Sequence, residues 1–222
     1  MLPGTGSDDV FVRSVFEIPL AAVGITLVAP PPVPGSSLAV SALSALSDSD
    51  GPVVAGGISF GAHLAAEWAV AHPSRCAGLV LALPAWHGEP GSAPASRSAL
   101  LSAAQVRSLG VDGALTESAM PAWLSGELSR AWSGYGSELA ESLEVAAARP
   151  APTLAELASL DVPVGIAACA DDPIHPASVA SSWAGALPRA VVCTTRLSIM
   201  GVDPEALGRA AVLAFMRACG AT

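Results

Sequence analysis

Short apolar runs and longer amphipathic stretches alternate along the chain, punctuated by Gly, Pro, Ser and Asp. Residues 1–7 read as the stub of a strand running into a Gly-rich loop, and Asp8 or Ser7 is placed to cap a helix. That helix carries Val10, Phe11, Val15 and Phe16, then Pro19 and Leu20. Ile25 to Ala29 predicts a short buried strand, stopped by Pro30-Pro31-Pro32. Ser36 or Ser37 caps a helix reaching about Ser47, and Ser47-Asp-Ser-Asp-Gly51 is a turn. Val53 to Ala55 opens the next strand. Ala62 to Ala71, free of Gly and Pro, predicts the helix after it, ended by His72-Pro73.

Ala77 to Leu83 is a further strand, and the order strand, helix, strand, helix, strand predicts a parallel sheet with helices on both faces. Residues 84–153 break that order. Helix-like segments fall around 97–108, 113–118, 121–132 and 134–148, with no convincing strand among them. We read this as a helical cap inserted into a single domain of 1–222, with Trp86, Met120, Trp123 and Trp132 lining it. The alternation resumes with a helix at Leu154 to Leu160, a strand at Val162 to Cys169 and a loop, Ala170-Asp-Asp-Pro-Ile-His-Pro176. Ala177 to Ala184 is a helix with Gly185 as its stop, Ala190 to Thr195 a strand, and Pro204 to Cys219 a closing helix behind Asp203. About six strands are expected.

Composition narrows the chemistry. A chain of 222 residues holds one ordinary domain with a full core. Charged residues are 13%, about half the usual share, and Lys and Asn are absent, so neither a Ser–Lys dyad nor a Cys–His–Asn triad can be built. The net charge of -9 argues against nucleic acid or an anionic membrane surface as partner. No basic leader or membrane-length apolar run is seen. Cys76, Cys169, Cys193 and Cys219 have no metal-like spacing, and the expectation is buried free thiols in a cytoplasmic protein needing no metal or cofactor.

The stretch that carries chemistry is Gly57-Ile58-Ser59-Phe60-Gly61, a G-x-S-x-G set between a strand and a helix. An abrupt strand-to-helix turn forces its middle residue into a strained backbone conformation, and flanking glycines leave room for the crowding. The Ser59 hydroxyl then stands at the end of the sheet. Behind it, the helix N-terminus directs N–H groups and positive partial charge at an oxyanion.

Together with Leu2-Pro3-Gly4-Thr5-Gly6, the loop Ala170 to Pro176 and the final strand and helix, this elbow makes the chain resemble the α/β-hydrolase superfamily over nearly its whole length. The resemblance implies a three-layer α/β sandwich with Ser59 as nucleophile. It implies an oxyanion hole from the N–H of Phe60 and that of Thr5 or Gly6, and Asp172, rather than Asp171, as the acid. The substrate pocket would include Gly4, Trp86 and His87. It also implies a His in the loop after the last strand, yet Thr195-Arg-Leu-Ser-Ile-Met-Gly-Val-Asp203 contains none. His175 on the acid loop is the first substitute and His87 the second. Because His175 shares a tight loop with Asp172, Asp171 or a carbonyl is the expected partner for its ring. His63 reads as a core residue and His72 as a helix-end or surface residue.

The leading function is hydrolysis of small esters or thioesters with an apolar acyl part, the partner being a small-molecule substrate. The alternative is a non-hydrolytic binding protein of the same fold, and a cofactor-free lyase or isomerase is a third reading. The superfamily's two N-terminal edge strands are not seen, and the strand before the first loop is either very short or clipped by a late start codon; a homodimer or poor solubility is the expected consequence.

Overall fold

The computed structural model describes residues 1–48, 51–118 and 120–220. Ser49 and Asp50 of the expected 47–51 turn lie outside them. Its centre is a parallel sheet of four strands in sequence order, β1 (Val53–Ile58), β2 (Cys76–Ala82), β3 (Val164–Cys169) and β4 (Ala190–Thr195). The register pairs Ile58 with Ala82, Ala82 with Ala167, and Cys169 with Thr195. The carboxyl ends of β1, β2 and β3 therefore finish at one edge, where open α/β sheets collect their ligands.

Helices α1 (Asp9–Ala21) and α10 (Glu205–Gly220) cover one face. Val12, Val15, Phe16, Pro19 and Leu20 bury at helical spacing, and each of the large side chains contributes roughly 1.5–3 kcal/mol by leaving water. Asp8 caps α1 by accepting from the Phe11 N–H at 2.9 Å. Helices α2 (Leu38–Ser47), α3 (Phe60–Ala71) and α8 (Ala177–Ala186) cover the other face. Buried Ala62, Ala65, Ala66 and Ala69 let α3 lie close to the sheet. The result is the expected three-layer α/β sandwich.

Among the described residues the sheet has four strands rather than about six. Leu2 forms a single parallel bridge to Gly57, donating to Gly56 O and accepting from Ile58 N. Ile25 to Ala29 joins no ladder, because the neighbour it would pair with is that one-bridge segment. Its side chains still alternate in exposure, as extended chain at a sheet edge does.

Between β2 and β3 lie α4 (Pro94–Glu117), α5 (Ala122–Tyr135), α6 (Leu139–Ala148) and the one-turn α7 (Leu154–Leu157). As expected, two helical segments lie within 97–118; they are divided at Gly110, whose φ of 73° and ψ of 177° are not helical. Arg130 on α5 grips the Asp8 carboxylate through two nitrogens, at 2.7 and 3.1 Å, and the Tyr135 hydroxyl donates to Ser7 O at 2.8 Å. These bonds tie the helical segment to the first loop. Gly185 lies inside α8 rather than ending it, and an unforeseen short helix α9 (Leu197–Met200) follows β4. Among the described residues, no helix is long and apolar enough to cross a membrane.

Candidate active site

Ser59 ends β1 and begins α3 in a single step. Its N–H donates to Ala82 O at 2.8 Å, completing the sheet ladder, while its carbonyl accepts from Ala62 and His63, starting the helix. The cost is φ 52°, ψ -113°, a conformation that strains any residue with a Cβ by about 1–3 kcal/mol. The glycines on either side are demanded by contact. A Cβ on Gly61 would overlap the carbonyl oxygens of Leu2 and Pro3, and one on Gly57 would strike the Gly61 backbone. At Gly4 a Cβ would lie 3.6 Å from the Ser59 Cβ, so the first loop passes directly over the serine. Phe60 is the first residue of α3, and its N–H has no acceptor within the helix.

The acid loop follows β3. Asp172 Oδ1 accepts from the backbone N–H of Ile174 (2.8 Å) and of His175 (3.1 Å), which wraps the loop around the carboxylate. Its other oxygen lies 2.9 Å from His175 Nδ1, and His175 Nε2 lies 2.9 Å from Ser59 Oγ. An ionised carboxylate only accepts, so Nδ1 donates to Asp172 and Nε2 is left to accept the serine proton. Burial alone would raise the Asp172 carboxyl, but the His175 hydrogen bond and charge, with the two N–H donors, outweigh it and hold the group below its ordinary value. Asp171 does not hold the ring; its carboxylate accepts from the Leu197 N–H at 2.6 Å and ties the acid loop to α9. The tight loop, expected to keep His175 from Asp172, is what brings them together.

A cavity of about 270 Å³ opens onto Ser59 and His175. Gly4, Thr5, Trp86, Trp123 and Trp132 line it, as do Leu83, Leu128 and Leu143; Met120 is not among the lining residues. Leu197 and Met200, from the segment where the superfamily's His was expected, line it as well. His87 is exposed and outside the lining, because the chain turns away at Gly88 (φ 62°) and bridges to Ala151. His72 caps α3 with its ring on Trp68 and Nδ1 3.0 Å from Trp68 O. Of the four free cysteines Cys76 and Cys169 are buried, whereas Cys193 is half-buried and Cys219 exposed.

His63 is buried in the core as expected, and it is also bonded to the pocket wall. Its Nε2 accepts from the N–H of Ala85 at 2.9 Å and of Trp86 at 3.4 Å. Burial first, and the nearby His175 second, lower its pKa to about 3, so it stays neutral at ordinary pH. Leu83, with Ser59 one of two non-glycine residues of positive φ among the described residues (54°), escaped the sequence reading because nothing in a Leu signals left-handed backbone.

No protein-family model and no curated protein matches the sequence. Solved structures do match in three dimensions. An esterase from Thermogutta terrifontis is 19% identical, with 98% of this chain and 88% of that chain covered and a TM-score of 0.75. A carboxylesterase of Nitrososphaera gargenis is 10% identical over 100% of this chain and 90% of that one, with a TM-score of 0.77. The chain has the α/β-hydrolase fold. The enol-lactonase from Burkholderia xenovorans LB400 shares this α/β-hydrolase likeness at 14% identity, 97% and 90% coverage and a TM-score of 0.66.

Proposed function

We propose that the chain is a serine hydrolase of small carboxylic esters or thioesters with an apolar acyl part. The observation that carries this reading is the 2.9 Å contact between Ser59 Oγ and a His175 whose far nitrogen is held by Asp172. In this mechanism His175 Nε2 takes the Ser59 proton as Oγ attacks the carbonyl carbon, and Asp172 stabilises the imidazolium. The N–H of Phe60 and that of Thr5 or Gly6 hold the oxyanion. His175 then protonates the departing alcohol or thiol. Water, deprotonated by the same nitrogen, cleaves the acyl-enzyme and regenerates Ser59. The largely apolar cavity suits an apolar acyl chain, with the helical segment 84–153 acting as its cap.

The esterase, carboxylesterase and enol-lactonase names of the similar structures agree with a hydrolytic reaction. The competing reading, a non-hydrolytic binding protein, drew its motive from the loop after β4 lacking a His; the His175 contact weighs against it. Turnover of p-nitrophenyl esters and a phenyl thioester tests the proposal. Ser59→Ala and His175→Ala are each expected to lower kcat/KM by about a thousandfold or more. Turnover that persists in Ser59→Ala refutes it.

A further inference from the structure

His63 sits one turn past Ser59 on α3, 2% exposed, and takes no part in the Ser59–His175–Asp172 chain. Its surroundings are specific. The ring meets Trp86 edge-on, with centroids 4.5 Å apart, and stacks on Trp183 at 5.7 Å. Nε2 accepts the N–H groups of Ala85 and Trp86, while the Trp183 indole N–H donates to Trp86 O at 3.1 Å. Both backbone polar groups of Trp86 are thus held by side chains, one from α3 and one from α8. The side chain so fixed lines the cavity in front of Ser59.

The segment has reason to need holding. It leaves β2 through Leu83 at φ 54°, a conformation a bulky side chain does not choose, so the surroundings must impose it. Among the described residues, Leu83 to Trp86 is held by the Leu83 N–H to Ala167 O bond and by His63 and Trp183, and the next backbone bonds are those of Gly88 to Ala151 and Pro152. Accepting two amides requires Nε2 to be unprotonated, which places the ring proton on Nδ1. Among the described residues Nδ1 has no partner. A ring used this way is no proton shuttle. Its work is to fix a wall.

We propose that His63 is a positioning residue for the acyl pocket: as a neutral acceptor for the Ala85 and Trp86 amides it sets where Trp86 stands, and so governs substrate fit rather than the attack by Ser59. This rests on the hydrolase reading for its kinetic form. The consequence is a split between parameters. A hexanoyl chain is expected to feel a displaced Trp86 wall more than an acetyl group does, because it fills more of the cavity that Trp86 lines.

The test compares wild type with His63→Leu, which removes the acceptor, and His63→Gln, whose amide oxygen restores one. Trp183→Phe is the companion, keeping the stack and deleting the donor to Trp86 O. For p-nitrophenyl hexanoate, His63→Leu and Trp183→Phe are expected to raise KM by about tenfold or more with kcat within about threefold. The acetate ester should change little, and His63→Gln should recover most of the hexanoate loss. Equal losses on both esters, a fall confined to kcat, or no change overturn the proposal. A second arm needs no catalysis: binding of 2-octanone to the same variants in a Ser59→Ala background, read by calorimetry. Weaker binding in His63→Leu, regained in His63→Gln, supports the role even where no ester is turned over. A ketone bound equally by all variants, or by none, overturns it.

Discussion

Replacing His63 by Gln should flatten the acid side of the stability curve. The imidazole is fully buried and its pKa in the folded protein is about 3 against 6.5 for a free ring, burial being the larger cause and His175 the smaller. Between those values the unfolded chain binds a proton that the folded chain refuses. Stability from this residue is therefore complete above pH 6.5 and is lost as the pH falls toward 3. Each pH unit well inside the window costs about 1.4 kcal/mol, so wild type should lose about 2.5 kcal/mol between pH 6 and pH 4 through His63 alone. Gln has no proton to take up. Urea unfolding at pH 7, 6, 5 and 4, followed by tryptophan fluorescence, gives the free energies. At pH 7 the His63→Gln protein is expected to be the less stable by about 1–3 kcal/mol, having traded a fitted acceptor for a looser one. That gap should shrink by about 2.5 kcal/mol from pH 6 to pH 4. A gap that stays constant with pH refutes the reasoning, because it means the ring is free to become charged in the folded protein.

Asp172→Asn keeps the shape of the acid loop but offers His175 Nδ1 no fixed anion, so kcat is expected to fall by about three to four orders of magnitude with KM little changed. Steady-state kinetics on a p-nitrophenyl ester checks it. Ser59→Gly removes the Cβ that makes φ 52° costly, and should be more stable than Ser59→Ala by about 1 kcal/mol in urea titrations while both are inactive. An Ala variant as stable as the Gly variant would mean that the elbow stores no strain.

The elbow was legible because its chemistry is local: an apolar run, two glycines around a serine and an Ala-rich helix occur in consecutive residues. The sheet was legible for a similar reason, since β1, β2, β3 and β4 each contain a local apolar run, although β4 at the sheet edge is only half-buried. Ile25 to Ala29 shows the limit. Its residues suit a strand, but a ladder depends on the neighbour, and Leu2 supplies one bridge. The pairing of Asp172 with His175 escaped for a different reason. Three residues of separation read as too short for one carboxylate to orient the ring, yet with Oδ1 taken by two backbone N–H groups the loop closes and leaves Oδ2 facing Nδ1. The Trp183 and His63 clamp on Trp86 spans 97 and 23 positions, and no local pattern announces it.

The central claim is that His175 activates Ser59. Labelling with a fluorophosphonate, located by mass spectrometry of the peptides, addresses it without any assumption about substrate. Wild type at pH 8 is expected to carry the adduct on Ser59, Ser59→Ala to carry none, and His175→Ala to label about a thousandfold more slowly. An unlabelled wild type between pH 6 and 9, or a His175→Ala protein that labels at the wild-type rate, would contradict the account.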